Sequence, residues 1–326
     1  MKKFLLALLS IVMVLTMVAC GGAAGTAGKH WSKMAMGTGG TAGTYYAYGG
    51  ILARYMEADA DIKVTAVTTG GSKDNILGIE LGDYQLGTVQ SDVMHYAWQG
   101  TRSFKEDGKI RSFRTIAGLY AESVQLVTTN PNIKSVKDLK GKKVSIGAPG
   151  SGVYFNAIDV LNAAGLSEKD INAQYQDFAQ SADALKDGKI DAAFIVAGAP
   201  TTAITELCMT NSKARVVPID GAIAEKLMKD NTFYSVYEIP AGTYENQTEA
   251  IKTVTVKATL IVSADASEED VYNLTKAIFE NIEDITKEHA KGAELSLENA
   301  TEGLTVPFHA GAAKYFKEKG IEVAVK

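Results

Sequence analysis

The chain has 326 residues, 46% of them hydrophobic and 22% charged, with a net charge of −5. That is the composition of an ordinary folded globule at the length where one core gives way to two. The acidic balance, without basic clusters, argues against a nucleic-acid partner. His30, His95, His289 and His309 show no paired spacing for a metal, and two cysteines cannot build a thiolate cluster.

At the start of the chain, Lys2 and Lys3 precede an apolar run from Phe4 to Val18 that only Ser10 and Thr16 interrupt. The run is shorter than the roughly 20 residues a spanning helix needs, and it has the layout of a secretory signal. It ends in Met17-Val18-Ala19-Cys20-Gly21, which resembles a bacterial lipobox, with Met17 where Leu is usual. Residues 1–20 therefore read as a lipoprotein signal peptide cleaved before Cys20. The mature chain is expected outside the cytoplasm, anchored to the cell membrane by a lipid on Cys20. Residues 21–29, rich in Gly and Ala, have too little apolar surface to offset the entropy of ordering and read as a flexible tether. Past the leader only Cys208 remains, so no internal disulfide can form.

A unit of strand, Gly/Ser/Thr-rich turn and helix then recurs. Met34 to Met36 leads into Gly37–Thr44, after which Tyr48, Ile51, Leu52 and Tyr55 make a helical stripe. Lys63–Thr69 is strand-like and is followed by Gly70-Gly71-Ser72 and a short helix carrying Ile76 and Leu77. Tyr84–Val89 precedes Gln90-Ser91-Asp92 and a helix with Val93, Tyr96 and Ala97. The unit restarts at Lys143–Gly147, with Gly150-Ser151-Gly152 opening a helix, and again at Ile190–Val196 before Ala197–Pro200. Leu119–Thr128 and Thr253–Val262 read as two long strands bracketing the second block. Val271, Leu274, Ile278, Ile282 and Ile285 predict one long amphipathic helix. Alternating strands and helices imply parallel sheets covered on both faces. The expected fold class is α/β, in two doubly wound lobes joined by a two-strand hinge. Residues 30–122 and 254–326 form lobe I, and 123–253 form lobe II.

In open α/β sheets a ligand sits beyond the carboxyl ends of the strands. Each of these turns lies there, at a helix start where free N–H groups and the helix dipole favour an anion. The alternative for each turn is plain helix capping by Ser, Thr or Asp. Gly37-x-Gly39-x-x-x-Gly43 imitates a dinucleotide fingerprint, but its last glycine is one place late and the next strand ends without the ribose-binding acid. No Gly-Lys-Ser/Thr loop is present, and Gly150-Ser151-Gly152 lacks the nucleophile-elbow spacing. His309 reads as a helix-capping or packing residue. With no acid–base or nucleophile–base pair, the chain is not expected to be an enzyme, and no cofactor is implied.

Read together, these segments resemble the TAXI-type solute receptors of TRAP transporters over nearly all of the mature sequence. The likeness is carried by Gly39–Tyr46, Gly71-Ser72 with Asn75, Gln90-Ser91-Asp92 with Ala97–Gly100, and Leu119–Glu122. It continues through Leu139–Gly147, Gly150–Gly152, Asp191–Phe194, Gly198 with Pro200, Thr243-Tyr244 and Pro307–Ala312. The resemblance implies a type II periplasmic-binding fold that closes like a hinge on its ligand. It also implies a monomer that delivers the ligand to ion-coupled TRAP membrane subunits. The implied ligand is glutamate, glutamine or a C4–C5 dicarboxylate such as 2-oxoglutarate; a partner ABC importer or sensory kinase is the alternative.

Carried over residue by residue, the ligand site would take Gly39, Thr44, Tyr45, Ser72, Asn75, Gln90 and Asp92 from the first lobe. The second would supply Ser151 and Gly152, with Gly198 and Pro200 shaping the wall and Tyr120 and Glu122 on the hinge side. No Arg occupies these turns and Lys73 is their only basic residue, so neutral donors would hold a carboxylate. Asp92 suits either an amino group of the ligand or the N-cap of its own helix.

Overall fold

The structure, a computed structural model, describes residues 28–325. The signal sequence, Cys20 and the tether up to residue 27 lie outside the described residues.

Among the described residues, ten strands and eleven α-helices follow in chain order. The first half comprises β1 (Lys33–Gly37), α1 (Thr44–Ala60), β2 (Lys63–Val67), α2 (Ser72–Leu81), β3 (Leu86–Gln90) and α3 (Ser91–Gln99). The long β4 (Phe113–Thr128) leads on to β5 (Lys143–Ser145), α4 (Val153–Ala163), β6 (Asn172–Gln174), α5 (Phe178–Lys186), β7 (Ala192–Ala197) and α6 (Thr202–Thr210). Next come β8 (Arg215–Val217), α7 (Gly221–Asp230), β9 (Ser235–Ile239) and the long β10 (Ile251–Ser263). The chain finishes with α8 (Glu268–Phe279), α9 (Ile282–Glu288), α10 (Leu297–Thr301) and α11 (Ala310–Glu318).

The strands form one hydrogen-bonded sheet in the order β2-β1-β3-β10-β4-β7-β5-β6. The two ends mirror each other: β2-β1-β3 is parallel, as is β6-β5-β7, and β10 and β4 lie antiparallel between them. Both middle strands serve both ends. The C-terminal part of β10 pairs with β3 while its N-terminal part pairs with β9; β4 pairs with β10 from Phe113 to Ser123 and with β7 from Ser123 onward. The proposed lobe boundaries at 122/123 and 253/254 thus fall inside β4 and β10. This is the fold of the type II periplasmic binding proteins, as the resemblance implies, and the α/β alternation is the one the strand–turn–helix units predict.

The helix stripe of α1 is buried at Tyr48, Leu52 and Met56, against Leu274 and Ile278 of α8 and the sheet residues Met34 and Leu260. A separate apolar cluster around Leu126, Val144, Phe194 and Leu161 fills the second half. Leu52 is fully buried, so Leu52→Ala leaves a cavity and should destabilise the protein by about 2–5 kcal/mol. A fall in the urea midpoint without a change in slope would show this; a midpoint within experimental scatter of the parent would contradict it.

Several boundaries differ from expectation. The single helix predicted over Val271–Ile285 is two, because the chain leaves helical geometry at Asn281 (φ −112°, ψ 19°) before α9 begins. Ser267 caps α8 by accepting from the Asp270 N–H, and Glu268, Glu269 and Asp270 place negative charge at its positive end. β4 begins at Phe113, six residues before the predicted strand. His309 is a cap: its Nδ1 accepts from the Gly311 N–H at 3.2 Å, and Nε2 lies 3.1 Å from the Ala266 carbonyl.

Candidate ligand-binding site

The carboxyl ends of the parallel strands from both halves face each other across one cavity. Gly39, Gly40, Gly43, Thr44 and Tyr45 follow β1, Thr69 to Ser72 follow β2, and Gln90 ends β3. From the other side come Ala148, Ser151, Gly152 and Val153 after β5, Asp177 and Phe178 after β6, and Val196-Ala197 of β7. Glu122, on β4 where it passes between the halves, completes the lining. The space is about 80 Å³, where one water needs roughly 10–15 Å³. It suits a small molecule, not a peptide or a sugar polymer.

The cleft is closed. Thr44 Oγ1 donates to the Gly198 carbonyl at 2.8 Å, Lys73 N–H to Gly150 O at 3.1 Å and Ala203 N–H to Ala42 O at 3.2 Å. Gln90 Nε2 donates to Asn156 Oδ1 at 2.5 Å, and the Arg102–Asp159 ion pair at 2.9 Å clasps the rim. Gly152 allows this approach. A Cβ at that position would lie 1.7 Å from Gln90 Oε1 and 2.9 Å from Val93.

Three helix starts open into the cavity, those of α1, α2 and α4. Their N-caps are Gly43, Gly71 and Gly152, and none provides a side-chain cap. Gly71, at φ +112°, holds a backbone geometry that side chains rarely adopt. No side chain caps the first N–H groups of these helices, although the Lys73 N–H of α2 is taken by the Gly150 carbonyl across the cleft. Side-chain capping does not account for these turns.

The opposite chemistry comes from Glu122. It is 2% exposed and accepts from the Tyr45 hydroxyl at 2.9 Å. Burial lifts its carboxyl well above the usual range; the Tyr45 hydrogen bond and Lys291 oppose that rise, while Asp92 adds to it. Tyr45 is likewise raised well above its ordinary value, first by burial and then by Glu122. No Lys or Arg is among the lining residues. Lys73 turns away, its Nζ donating to Ser103 O at 2.7 Å and Asp107 at 2.9 Å.

Eight of the predicted site residues thus meet at the cavity: Gly39, Thr44, Tyr45, Ser72, Gln90, Glu122, Ser151 and Gly152. The other five lie elsewhere. Asn75 is buried behind the wall, where Nδ2 donates to the Thr38 and Thr88 carbonyls at 2.7 Å each and Oδ1 accepts from Thr69. Tyr120 is buried edge-on to Tyr48 at 5.2 Å. Gly198 supports the wall through its carbonyl, and a Cβ there would meet Lys291 and Tyr120. Pro200, after a cis peptide bond, is exposed.

Asp92 neither lines the cavity nor caps its helix. It is the second residue of α3, whose N-cap is Gln90, and its Oδ2 accepts from Asn156 Nδ2 at 3.1 Å. Asp177 and Phe178 line the cavity without having been foreseen. Asp177 caps α5 in a reciprocal pair with Gln180, and the Asp-x-x-Gln spacing that signals such a box was there to be read. Among the described residues, no cluster of His, Cys, Asp and Glu could hold a metal, and no helix is long and apolar enough to cross a membrane.

Fold and cleft together have the architecture of the type II periplasmic-binding-protein fold. The chain belongs to the NMT1-like family, which matches residues 36–320. Solved structures of similar fold include the alkanesulfonate-binding protein SsuA from Xanthomonas axonopodis pv. citri bound to MOPS. It is 17% identical over 89% of this chain and 92% of that one, with a TM-score of 0.50. A protein from Bordetella bronchiseptica is 18% identical over 88% and 89%, with a TM-score of 0.54. The binding-protein component of an ABC phosphonate transporter from Pseudomonas aeruginosa is 12% identical over 80% and 79%, with a TM-score of 0.52. At these identities the likeness is one of fold.

Proposed function

We propose that this protein is an extracytoplasmic solute receptor, tethered through a lipid on Cys20, that captures a small amino acid by closing two lobes around it. Glutamate and glutamine are the best candidates. The observation that carries the ligand class is the division of the cavity. Uncapped N–H groups of three helices suit a carboxylate, and the buried Glu122–Tyr45 pair suits an ammonium. 2-Oxoglutarate, which has the same two carboxylates as glutamate but a keto oxygen where glutamate has its ammonium, would satisfy the first set and leave Glu122 without a cation. The hinge is assigned to β4 and β10, the strands shared by both halves, and the boundaries at 122/123 and 253/254 follow from it. Closure selects the ligand, because only a molecule touching both lobes stabilises the closed state. The protein acts as a binder, not as an enzyme.

The delivery partner is proposed to be the membrane subunits of a TRAP transporter, on the strength of the motif series from Gly39–Tyr46 to Pro307–Ala312. Membership of the NMT1-like family and the likeness to a phosphonate ABC component favour an ABC importer as the second reading. Native mass spectrometry of the purified protein should reveal a copurifying small molecule. Calorimetry should rank glutamate and glutamine above 2-oxoglutarate and succinate. A response confined to an alkanesulfonate or a phosphonate would sink the ligand assignment, and co-purification from membranes would decide between the two transporter types.

A further inference from the structure

Behind the cavity wall a chain of side chains runs from one half of the protein to the other. Asp92, on α3, accepts from Asn156 Nδ2 at 3.1 Å; Asn156, on α4, accepts through Oδ1 from Gln90 Nε2 at 2.5 Å. All three are buried. Gln90 Oε1 accepts no hydrogen bond from the described residues and lies against Gly152 at the cavity wall. Asn156 Nδ2 also donates to the Tyr234 hydroxyl at 2.7 Å, and that hydroxyl reaches Asp159 Oδ2 at 3.2 Å.

An ionised carboxylate only accepts, so Asp92 in that form compels Asn156 to present its NH₂. Asn156 then shows its oxygen to Gln90, Gln90 must donate, and the cavity receives the Gln90 oxygen. A proton on Asp92 Oδ2 reverses every link. Asp92 O–H donates to Asn156 Oδ1, Asn156 N–H donates to Gln90 Oε1, and Gln90 turns its NH₂ to the cavity. Both amides keep their outline when they turn over, so the reversal needs no repacking. The Tyr234 hydroxyl can follow by donating to Asn156 Oδ1, leaving Asp159 with its Arg102 partner.

We propose that Asp92, Asn156 and Gln90 form a proton-switched amide relay that sets whether the cavity wall offers an acceptor or a donor. Ligand choice then follows pH: the acceptor form favours a ligand with N–H groups, the donor form one with an acceptor, such as a keto oxygen, in their place. This selectivity rests on the small-acid reading of the site; the relay itself does not. Its geometry is poised for protonation, because Asp92 Oδ1 is buried with no partner among the described residues. Such an atom is costlier in a charged carboxylate than in a neutral acid. The charged and titratable groups facing Asp92 are Asp159 on α4, Glu122 on β4, Tyr96 on its own helix and Tyr234 beyond α7. Burial, opposed by the hydrogen bond from Asn156, places the Asp92 carboxyl at about 7.

The first test needs no ligand. In the mature protein, the side-chain amide resonances of Gln90 should shift with pH at the midpoint of the Asp92 carboxyl. Asp92→Asn and Asn156→Leu should each remove that step, with the backbone spectrum otherwise preserved. The second test follows the ratio of L-glutamate to 2-oxoglutarate affinity from pH 6 to 8. Glu122 contributes to the slope in the same direction, so the readout is the difference between variant and parent. Asp92→Asn should lower the slope by one proton, tenfold per pH unit. A Gln90 signal that ignores Asp92 would overturn the relay. Failure of both acids to bind, with the Gln90 step intact, would overturn the ligand assignment alone.

Discussion

Gly152→Ala is expected to weaken ligand capture while leaving each half of the protein folded. The added Cβ would sit 1.7 Å from Gln90 Oε1, 2.6 Å from its Cδ and 2.9 Å from Val93 Cγ2. Gln90 cannot swing aside, because Asn156 holds its NH₂ group from the second half. Val93 is fully buried in the core behind α3. Gly152 and Gln90 lie on opposite sides of the cleft, so the collision exists only when the cleft is shut. Overpacking of this kind costs about 1–3 kcal/mol, which weakens binding by roughly 5- to 150-fold. The thermal midpoint of the ligand-free protein should barely move, whereas the upward shift produced by ligand should shrink. Gly50→Ala is the control. A Cβ at Gly50 meets nothing within 4 Å, and replacing a helical glycine is expected to stabilise by about 0.4–1 kcal/mol without touching affinity. If Gly152→Ala bound as tightly as the parent, the closed cleft could not be the ligand-bound form.

Much of the cavity was legible in the sequence, because one rule places it: a turn after a parallel strand and before a helix faces the crevice. Gly39, Ser72, Gln90 and Ser151 all follow from that rule. Which neighbouring side chains face the ligand does not follow. Asn75 and Asp92 each lie within a few residues of a lining position, yet the helical turn carries them behind the wall, where they tie strand ends and halves together. Asn156 left no local trace at all. Its partners Asp92, Gln90 and Tyr234 are 64, 66 and 78 residues away, and only the closed fold brings them together. The three-residue strands β6 and β8 are too short for alternation to register, so the start of α5, with Asp177 and Phe178, went unplaced. The apolar spacing Val271–Ile285 concealed a helix break, because Ile285 is buried in the same core as Ile278 on either side of it.

The same limit applied to the acid proposed to recognise an amine, although Glu122 was expected on the hinge side, and it makes Glu122 the most informative residue to change. Asp92 suited that role on residue type, but Glu122, from the middle of a crossing strand, is the carboxyl that reaches the cavity. In the ligand-free site its carboxyl is held well above the ordinary range, chiefly by burial. An ammonium ligand reverses the balance: it favours the charged form, so binding expels the Glu122 proton. The sign follows from that exchange. Below the midpoint of the free carboxyl, the Glu122 contribution should raise affinity for L-glutamate with pH, by up to tenfold per unit, and level off above it. Calorimetry in buffers of different ionisation enthalpy should count about one proton released. Glu122→Gln keeps the shape and the Tyr45 contact but cannot ionise. A charge-assisted hydrogen bond is worth about 1.5–3 kcal/mol, so L-glutamate should weaken by roughly 10- to 150-fold, with its Glu122-linked proton release lost. 2-Oxoglutarate, which has no amine to lose, should bind the variant at least as well as the parent. Equal losses for both acids would mean that Glu122 supports the cavity wall and recognises no amine.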